Sequence, residues 1–219
     1  MKIDPAAPLD TAALFGCAVL TGMGTVINTA RFKAGMSIAV IGLGGVGMAA
    51  LIGAVAAGAR QVIAVDLADS RLEFARSLGA THVFNAKDPD AEAAILTATS
   101  GGVDRALEFA GAIPALSLAY NVTRRGGTTV TAGLPPSTSS FGLSVTKLVG
   151  EERNLKGSYI GTCVPSRDIP RYMSMYMQGR LPVDRLLTGR LTLEDINHGF
   201  DLLHEGAAIR LIIEFPTNS

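Results

Sequence analysis

The sequence predicts an α/β fold in which a doubly wound parallel sheet of about six strands carries helices on both faces. Short apolar segments typical of strands alternate with segments of helical periodicity along the chain. Two strand segments, SIAVI and QVIAVD, are almost continuously apolar, which is typical of parallel strands buried on both sides. With 219 residues and 48% hydrophobic side chains, the chain can also bury a sizeable core.

The alternation runs from residue 37 to residue 160. The predicted strands are Ser37–Ile41, Gln61–Asp66, Thr81–Phe84, Val103–Phe109, Gly127–Ala132 and Leu155–Ile160. The predicted helices between them are Val46–Ala57, Asp69–Leu78, Pro89–Thr97 and Ile113–Asn121. Asp69 is the candidate N-cap of its helix, and Gly79 ends that helix. Strands joined by helices in this way predict parallel pairing with crossover connections.

Both ends of the chain depart from this alternation. One apolar helix is predicted over Leu9–Leu20, and two more helices are predicted over Arg167–Met177 and Leu193–His204. A last strand is predicted at Arg210–Phe215. Because this strand follows two helices outside the main alternation, we expect it to belong to a second sheet.

Composition and charge exclude several classes of protein. Lys and Arg number 19, as do Asp and Glu, so bulk attraction to nucleic acid or an anionic membrane is not expected. The uncharged segment 34–59 is long enough to span a membrane, but seven glycines interrupt it. The N-terminal residues lack the pattern of a signal peptide. Two cysteines, Cys17 and Cys163, cannot form a disulfide framework, and a cytoplasmic location is expected.

A glycine-rich loop, GLGGVG at residues 42–47, joins the first predicted strand to the first predicted helix. It matches the pattern G-x-G-x-x-G, in which each glycine has a distinct structural role. Gly42 permits a tight turn, Gly44 lets the backbone approach a pyrophosphate, and Gly47 lets the helix pack closely on the sheet. The helix N-terminus supplies free N–H groups for the phosphates. A merely structural turn is the alternative, because glycine-rich turns are common.

An acidic residue, Asp66, ends the second predicted strand, 19 residues after Gly47. A carboxylate there can accept hydrogen bonds from the ribose hydroxyls of adenosine and would repel a 2′-phosphate. Together with the loop, it predicts a Rossmann-type dinucleotide-binding fold that prefers NAD to NADP. Arg71, five residues further on, is either a second contact at the adenosine end or a solvated helix residue.

The segments around this loop carry a family resemblance. They are GCAVLTGMG at 16–24, GLGGVG at 42–47, VD at 65–66, GGVD at 101–104, GLPP at 133–136, LKGS at 155–158 and IRLII at 209–213. In this order they cover essentially the whole chain, which resembles the zinc-dependent medium-chain alcohol dehydrogenases. The resemblance implies an oxidoreductase that uses NAD and a catalytic zinc to oxidise an alcohol to an aldehyde or ketone. In such an enzyme zinc polarises the alcohol oxygen, and NAD accepts the hydride.

The resemblance also implies roles for residues outside the loop. Cys17 matches the third protein ligand of the catalytic zinc, and Thr21 matches a residue packed near the nicotinamide. Arg210 matches an arginine that pairs with the pyrophosphate, for which a planar guanidinium is well suited. The predicted cofactor residues are Thr21, Gly42, Leu43, Gly44, Gly45, Val46, Gly47, Asp66, Arg71, Ala132, Leu134, Ser158, Ile160 and Arg210.

Four of these residues match positions around the nicotinamide. Ala132 and Leu134 match positions that flank it, and Leu134 also faces the substrate. Ser158 and Ile160 match positions whose backbone meets the carboxamide. The expected small-molecule partner is an alcohol or aldehyde, and the resemblance implies a homodimer or homotetramer.

One departure from the family concerns the metal. In the family, the other two zinc ligands and a proton relay lie in a catalytic domain that precedes the segment resembling this chain. None of the three histidines, His82, His198 and His204, has metal-ligand spacing with Cys17, and a catalytic zinc needs about three protein ligands. The expectation is therefore a fragment that is inactive alone. Residues 1–19 would end the catalytic domain, 20–160 would bind the dinucleotide and 161–219 would return to the catalytic domain.

Two alternatives remain open. One is a zinc-less quinone or enoyl reductase of the same superfamily, against which Cys17 and Asp66 both argue. The other is an NAD(H)-binding module without catalysis, in which Cys17 would be only a small apolar side chain. Such a module could arise by truncation or gene decay, and the intact glycine loop argues against long decay.

Overall fold

The computed structural model describes residues 3–215, and a six-stranded parallel sheet forms its centre. The strands are β1 Ser37–Ile41, β2 Gln61–Asp66, β3 His82–Asn85, β4 Val103–Glu108, β5 Thr123–Thr131 and β6 Asn154–Gly157. They lie in the order β3-β2-β1-β4-β5-β6, and every neighbouring pair is parallel. This confirms the predicted Rossmann-type α/β fold. The order reverses between β1 and β4, where such sheets open a ligand crevice.

Helices pack on both faces of the sheet. The α-helices of the described residues are α1 Leu9–Leu14, α2 Ala18–Gly24, α3 Gly45–Ala56, α4 Asp69–Ser77, α5 Ala91–Ala98, α6 Ile113–Asn121, α7 Val145–Gly150, α8 Pro165–Met177 and α9 Ile196–His204. Successive residues of a strand point to opposite faces. Ile38 and Val40 of β1 accordingly enter the core that contains α3, whereas Ala39 and Ile41 enter the core that contains Ile95 of α5.

The helix predicted over Leu9–Leu20 is wrong in one respect, because the structure breaks it into α1 and α2. Cys17 has non-helical backbone angles, φ −139° and ψ −71°. A π-helical turn, Thr25–Thr29, then extends α2. Gly22 allows α2 to lie against α3, since a Cβ at this position would be 2.5 Å from the carbonyl oxygen of Val46. The break therefore allows α2 to pack along α3, the helix that begins at the glycine loop.

A second sheet contains two parallel strands, β7 Leu187–Leu191 and β8 Arg210–Ile213. It confirms that the last predicted strand lies outside the main sheet. The partner β7 was not predicted, because its half-polar sequence LTGRL alternates between partly buried and exposed residues. The helix α7 was not predicted either, although Ser144 caps it by accepting the N–H of Lys147.

Residues 1–2 and 216–219 lie outside the described residues. They belong to the segments 1–19 and 161–219, which are predicted from the sequence to be parts of the catalytic domain. Across residues 3–215, none of the helices is both long enough and apolar enough to cross a membrane.

Candidate cofactor-binding site

A cavity of about 1030 Å³ lies at the carboxyl edge of the main sheet. Its floor is formed by the ends of β1 and β2 and by the glycine loop. Its walls come from the start of α4, the connections after β3 and β4, and the turn His204–Gly206 between α9 and β8. The cavity thus opens at the β1/β4 reversal, where the sheet order predicts ligand binding, and its volume is at the upper end for ligand pockets.

The glycine loop has the geometry that its sequence predicts. Gly42 has φ +88°, and a Cβ there would be 2.6 Å from the amide nitrogen of Ala110. A Cβ at Gly47 would overlap the carbonyl oxygen of Gly42. Gly44 is exposed, and a Cβ there would meet no described atom within 4 Å. Gly42 and Gly47 are therefore required by the fold, whereas Gly44 leaves open backbone that a ligand can approach.

Asp66 ties the glycine loop to the start of α4. The side chain is buried, and its Oδ2 accepts the N–H of Leu43 at 2.7 Å. Its Oδ1 accepts the N–H groups of Leu67 at 2.8 Å and Ala68 at 3.1 Å. The predicted N-cap Asp69 is wrong, since Asp69 is the first residue inside α4 and Ala68 precedes it without a side-chain cap bond. The sequence identified Asp66 but not these three bonds.

Arg71 lies beside Asp66 in the wall of the cavity. Its Nη1 is 3.7 Å from Oδ1 of Asp66, and 26% of the side chain is exposed. The buried Nε has no hydrogen-bond partner among residues 3–215. A Cβ at Gly206 would be 3.1 Å from Nη2 of Arg71. Arg71 is therefore a half-buried residue between α4 and the α9–β8 turn, rather than a solvated one.

Arg210 lies over the N-terminus of α3. A Cβ at Gly45 would overlap Nε and Cζ of Arg210, so the guanidinium packs against glycine backbone. Its Nε is buried and unpaired within the described part of the chain. Burial lowers the pKa of Arg210, but a guanidinium stays protonated in proteins. Because the helix N-terminus is also electropositive, two sources of positive potential meet at one point.

Leu43 also lines the cavity, whereas the other predicted cofactor residues, Thr21, Val46, Ala132, Leu134, Ser158 and Ile160, do not. Leu43 is buried and Val46 is half-buried in the loop itself. Ala132 and Leu134 follow β5, and Leu134 is 85% exposed. Residues Thr131 and Gly157, which end β5 and β6, are paired in register. The segments after them therefore share the carboxyl edge with the cavity.

Ser158 and Thr21 belong to a polar contact between α2 and the segment after β6. The hydroxyl of Ser158 is 3.0 Å from that of Thr25, and Thr25 donates to the carbonyl oxygen of Thr21 at 2.8 Å. Ile160 follows with φ +49°, which is unusual for a β-branched residue. The next residue, Gly161, packs against Gly24, where a Cβ at Gly161 would be 2.7 Å from Cα. This contact holds the segment after β6 at the carboxyl edge.

The predicted metal ligand, Cys17, is an exposed free thiol between α1 and α2. Over the described range 3–215, no three His, Cys, Asp or Glu side chains lie close enough together to hold a metal ion. One thiol does not make a zinc site, because catalytic zinc needs about three protein ligands. The donor set of the described residues therefore does not by itself fit zinc.

Two features of the site were missed by the sequence analysis. Glu108 ends β4 and is buried to 1% exposure. An acidic residue directly after Ala106 and Leu107, at the carboxyl end of a central strand, was a signal that could have identified it. The turn His204–Gly206 borders the cavity, but its long separation from the glycine loop in the sequence left no local signal.

Comparisons with known proteins find similarity along nearly the whole chain. A family model described as zinc-binding dehydrogenase matches residues 45–178. Alcohol dehydrogenase 1 from Trifolium repens is 39% identical over 215 residues, which is 97% of this chain and 56% of that protein. Alcohol dehydrogenase 1 from Oryza sativa subsp. indica has the same identity and coverage. The chain therefore spans just over half the length of these relatives.

Solved structures show the same similarity. An alcohol dehydrogenase zinc-binding domain protein from Burkholderia ambifaria has a TM-score of 0.95 and 37% identity, covering 99% of this chain and 58% of that one. Benzyl alcohol dehydrogenase from Acinetobacter calcoaceticus has a TM-score of 0.94 and 32% identity, covering 98% and 59%. The chain therefore belongs to the zinc-binding dehydrogenase family, the zinc-dependent medium-chain alcohol dehydrogenases that its motifs resemble.

Proposed function

We propose that this chain binds NAD for the zinc-dependent oxidation of an alcohol to an aldehyde or ketone. The observation that carries the proposal is the half-buried Arg210 side chain, which packs against Gly45 at the N-terminus of α3 and whose buried Nε has no hydrogen-bond partner within residues 3–215. Burying a charge without a partner is costly. A pyrophosphate bound over the open backbone of Gly44 would provide that partner and would use the free N–H groups of the helix as well.

The two halves of NAD are assigned from the sheet order. The adenosine ribose is placed at Asp66, at the end of β2, with Arg71 beside it. Because β2 and β4 lie on opposite sides of β1, a dinucleotide that crosses the glycine loop must extend over β4, β5 and β6. The nicotinamide is therefore assigned to the residues at that side, which are Thr21, Ala132, Leu134, Ser158 and Ile160.

The chemistry divides between the cofactor and the protein. When bound, NAD accepts a hydride from the carbinol carbon of the alcohol. The residues of this chain hold and orient the two ends of the dinucleotide. We propose Cys17 as one ligand of the catalytic zinc. Because the described residues do not complete a zinc site, we assign them no part in the chemical step beyond holding the cofactor.

The remaining proposals concern the whole protein. We propose that residues 1–19 and 161–219 belong to the catalytic domain and residues 20–160 to the dinucleotide-binding domain, which the separate β7–β8 sheet supports. A homodimer or homotetramer is proposed on the family resemblance alone. A cytoplasmic location is proposed because both cysteines of the described part are free thiols.

The proposed contact between Arg210 and the pyrophosphate is tested by substituting Arg210. The Arg210→Ala chain should bind NADH about 20-fold more weakly than the parent, because a charge-assisted hydrogen bond is lost. The NADH affinity of the Arg210→Lys chain should lie between those of the parent and the Arg210→Ala chain, since lysine keeps the charge but not the planar guanidinium. Calorimetric titration with NADH measures the affinity of each variant. Arg60→Ala, which removes an arginine at an exposed position, is the control. Unchanged affinity in the Arg210→Ala chain would remove the main support for the proposal.

A second function, NAD(H) binding without turnover, is favoured because no three His, Cys, Asp or Glu side chains of residues 3–215 lie close enough together to hold a metal ion. The two functions differ in an assay of NADH formation from NAD and benzyl alcohol with added zinc. We expect the chain alone to bind NADH but to show no turnover. Turnover that a chelator abolishes would show that residues of this chain complete a metal site, contrary to the assignment above.

A further inference from the structure

Glu92 is a charged residue of the cavity that the proposed function does not use. It is the second residue of α5 and is half-buried, whereas Lys87 and Asp88, which line the cavity just before this helix, are exposed. Asp66 and Arg71 are already assigned to the adenosine ribose. A carboxylate that has lost part of its water needs other donors for its oxygens, so the contacts of Glu92 indicate what it can bind.

The side chain of Asn121 fixes the position of the Glu92 carboxylate. Asn121 is the last residue of α6, and its Nδ2 donates to Oε2 of Glu92 at 2.9 Å. An ionised carboxylate can only accept, so this contact requires the amide nitrogen of Asn121 to face Glu92. Oε1 of Glu92 accepts no hydrogen bond from residues 3–215. One oxygen is therefore held by the protein, and the other is available to a ligand in the cavity.

The two helices that carry this pair share one core. Ile95 of α5 is fully buried in a cluster against which Ala115 and Leu118 of α6 pack. Ala115 and Leu118 also line the cavity, as does Ala91, the residue before Glu92. Glu92 is therefore a polar group at the border of an apolar wall, which is the usual arrangement in a pocket whose few polar groups orient the ligand.

This wall lies where the base of the adenosine half is expected. The ribose is assigned to Asp66 at the end of β2, and the pyrophosphate to the glycine loop after β1. Because β3 lies beyond β2 in the sheet, the residues after β3 and the start of α5 are on the far side of Asp66 from that loop. Ala86, Pro89 and Glu92 line the cavity there. A flat base between apolar surfaces presents only its edge to a polar group such as Glu92.

We propose that Oε1 of Glu92 accepts a hydrogen bond from the 6-amino group of the adenine base, and so selects this base over one with a carbonyl oxygen at the same position. The inference rests on the proposed function, since it requires the adenosine ribose to lie at Asp66. An amino group donates to the carboxylate, whereas a carbonyl oxygen only accepts and would meet it with like partial charge. Asn121 is a positioning residue, because it acts through Glu92.

The test compares NADH with deamino-NADH, in which a carbonyl oxygen replaces the 6-amino group of the base. The parent chain should bind NADH about tenfold more tightly, as expected when a charge-assisted hydrogen bond at a half-buried position is replaced by two facing acceptors. Both dinucleotides have the same ribose, pyrophosphate and nicotinamide groups. The ratio of their dissociation constants, from calorimetric titration, therefore reports on the base alone.

Three variants locate the source of this preference. Glu92→Gln keeps the size of the side chain, but its amide can either accept from the amino group or donate to the carbonyl oxygen. The preference for NADH should therefore fall to about twofold or less. Asn121→Ala leaves the carboxylate without its anchor, and the preference should fall to about threefold. Glu73→Gln, at an exposed position of α4 outside the cavity, is the control and should keep the parent preference.

Each outcome decides the inference. Equal affinity of the parent for the two dinucleotides, or an unchanged preference in the Glu92→Gln chain, would overturn it. Loss of the preference in an Asp88→Asn chain instead would place the edge of the base at another residue of the cavity, and would also overturn it. If the Glu92→Gln chain does not fold by circular dichroism, Glu92→Asp draws the carboxylate back by one methylene, and the preference should fall in the same way. A parent chain that binds neither dinucleotide would overturn the proposed function itself, whereas a parent that binds both equally overturns only the role of Glu92.

Discussion

Substitution of Asp66 by asparagine is expected to remove most of the preference for NADH over NADPH, which we expect to be about 100-fold in the parent chain. The carboxylate is buried at the end of β2, where the adenosine ribose is assigned. A 2′-phosphate at this position would place like charges together, and the nearby Arg71 guanidinium, 3.7 Å from Oδ1, offsets only part of that repulsion. Asparagine removes the charge and keeps the size of the side chain.

The measurement must separate specificity from folding, because Asp66 also holds Leu43 and the start of α4. An asparagine amide group cannot accept the N–H of Leu43 through its nitrogen, so both cofactors should bind more weakly. The ratio of the two dissociation constants, from titrations with NADH and NADPH, is insensitive to that common loss. Asp69→Asn, which changes an exposed acid in the first turn of α4, is the matched control. Equal affinity of the parent chain for both cofactors would contradict the assignment of Asp66.

Substitution of Gly47 by alanine should destabilise the fold by about 3 kcal/mol, the upper part of the usual range for overpacking. The added Cβ would overlap the carbonyl oxygen of Gly42, and backbone cannot move aside as a flexible side chain can. For a chain of this size, the melting temperature should fall by about 10 °C. Thermal unfolding followed by circular dichroism measures the change.

The matched variant is Gly44→Ala, in the same loop. A Cβ at Gly44 meets no described atom within 4 Å, and its φ of −71° is allowed for alanine. The melting temperature should therefore stay within about 2 °C of the parent value, while NADH affinity falls about tenfold because the methyl group blocks the pyrophosphate. If Gly44→Ala binds NADH as well as the parent does, the pyrophosphate does not lie over this residue.

The parts of the structure that the sequence predicts best depend on local patterns. The bounds of β1 and β2 agree with prediction residue for residue, because strands buried on both faces are continuously apolar. The helix predicted over Leu9–Leu20 failed for the opposite reason. Its apolar pattern continues through Phe15–Cys17, and only packing against the rest of the chain reveals the break. The strand β7 was missed because its pairing with β8 joins segments far apart in the sequence.

In the candidate site, too, some features follow from local sequence patterns and others depend on tertiary contacts. The glycine loop and Asp66 could be proposed from the sequence because each follows directly after an apolar strand segment. The open backbone of Gly44 and the bonds from Asp66 to Leu43 depend on how β2 lies beside β1. The contact between Glu92 and Asn121 likewise depends on how α5 lies beside α6.

The sequence by itself determined the α/β class, the positions of the main strands and the tight turn of the glycine-rich loop, and it predicted the acid that follows. These features are local, since periodicity and glycine spacing act over a few residues. Only the tertiary structure decided that Arg210 lies on Gly45 with an unpaired Nε, that the turn at Gly206 borders Arg71, and that Asn121 holds Glu92 in the wall of the cavity. Those contacts depend on the order of strands in the sheet and on burial, because chain folding brings together groups that no short segment contains.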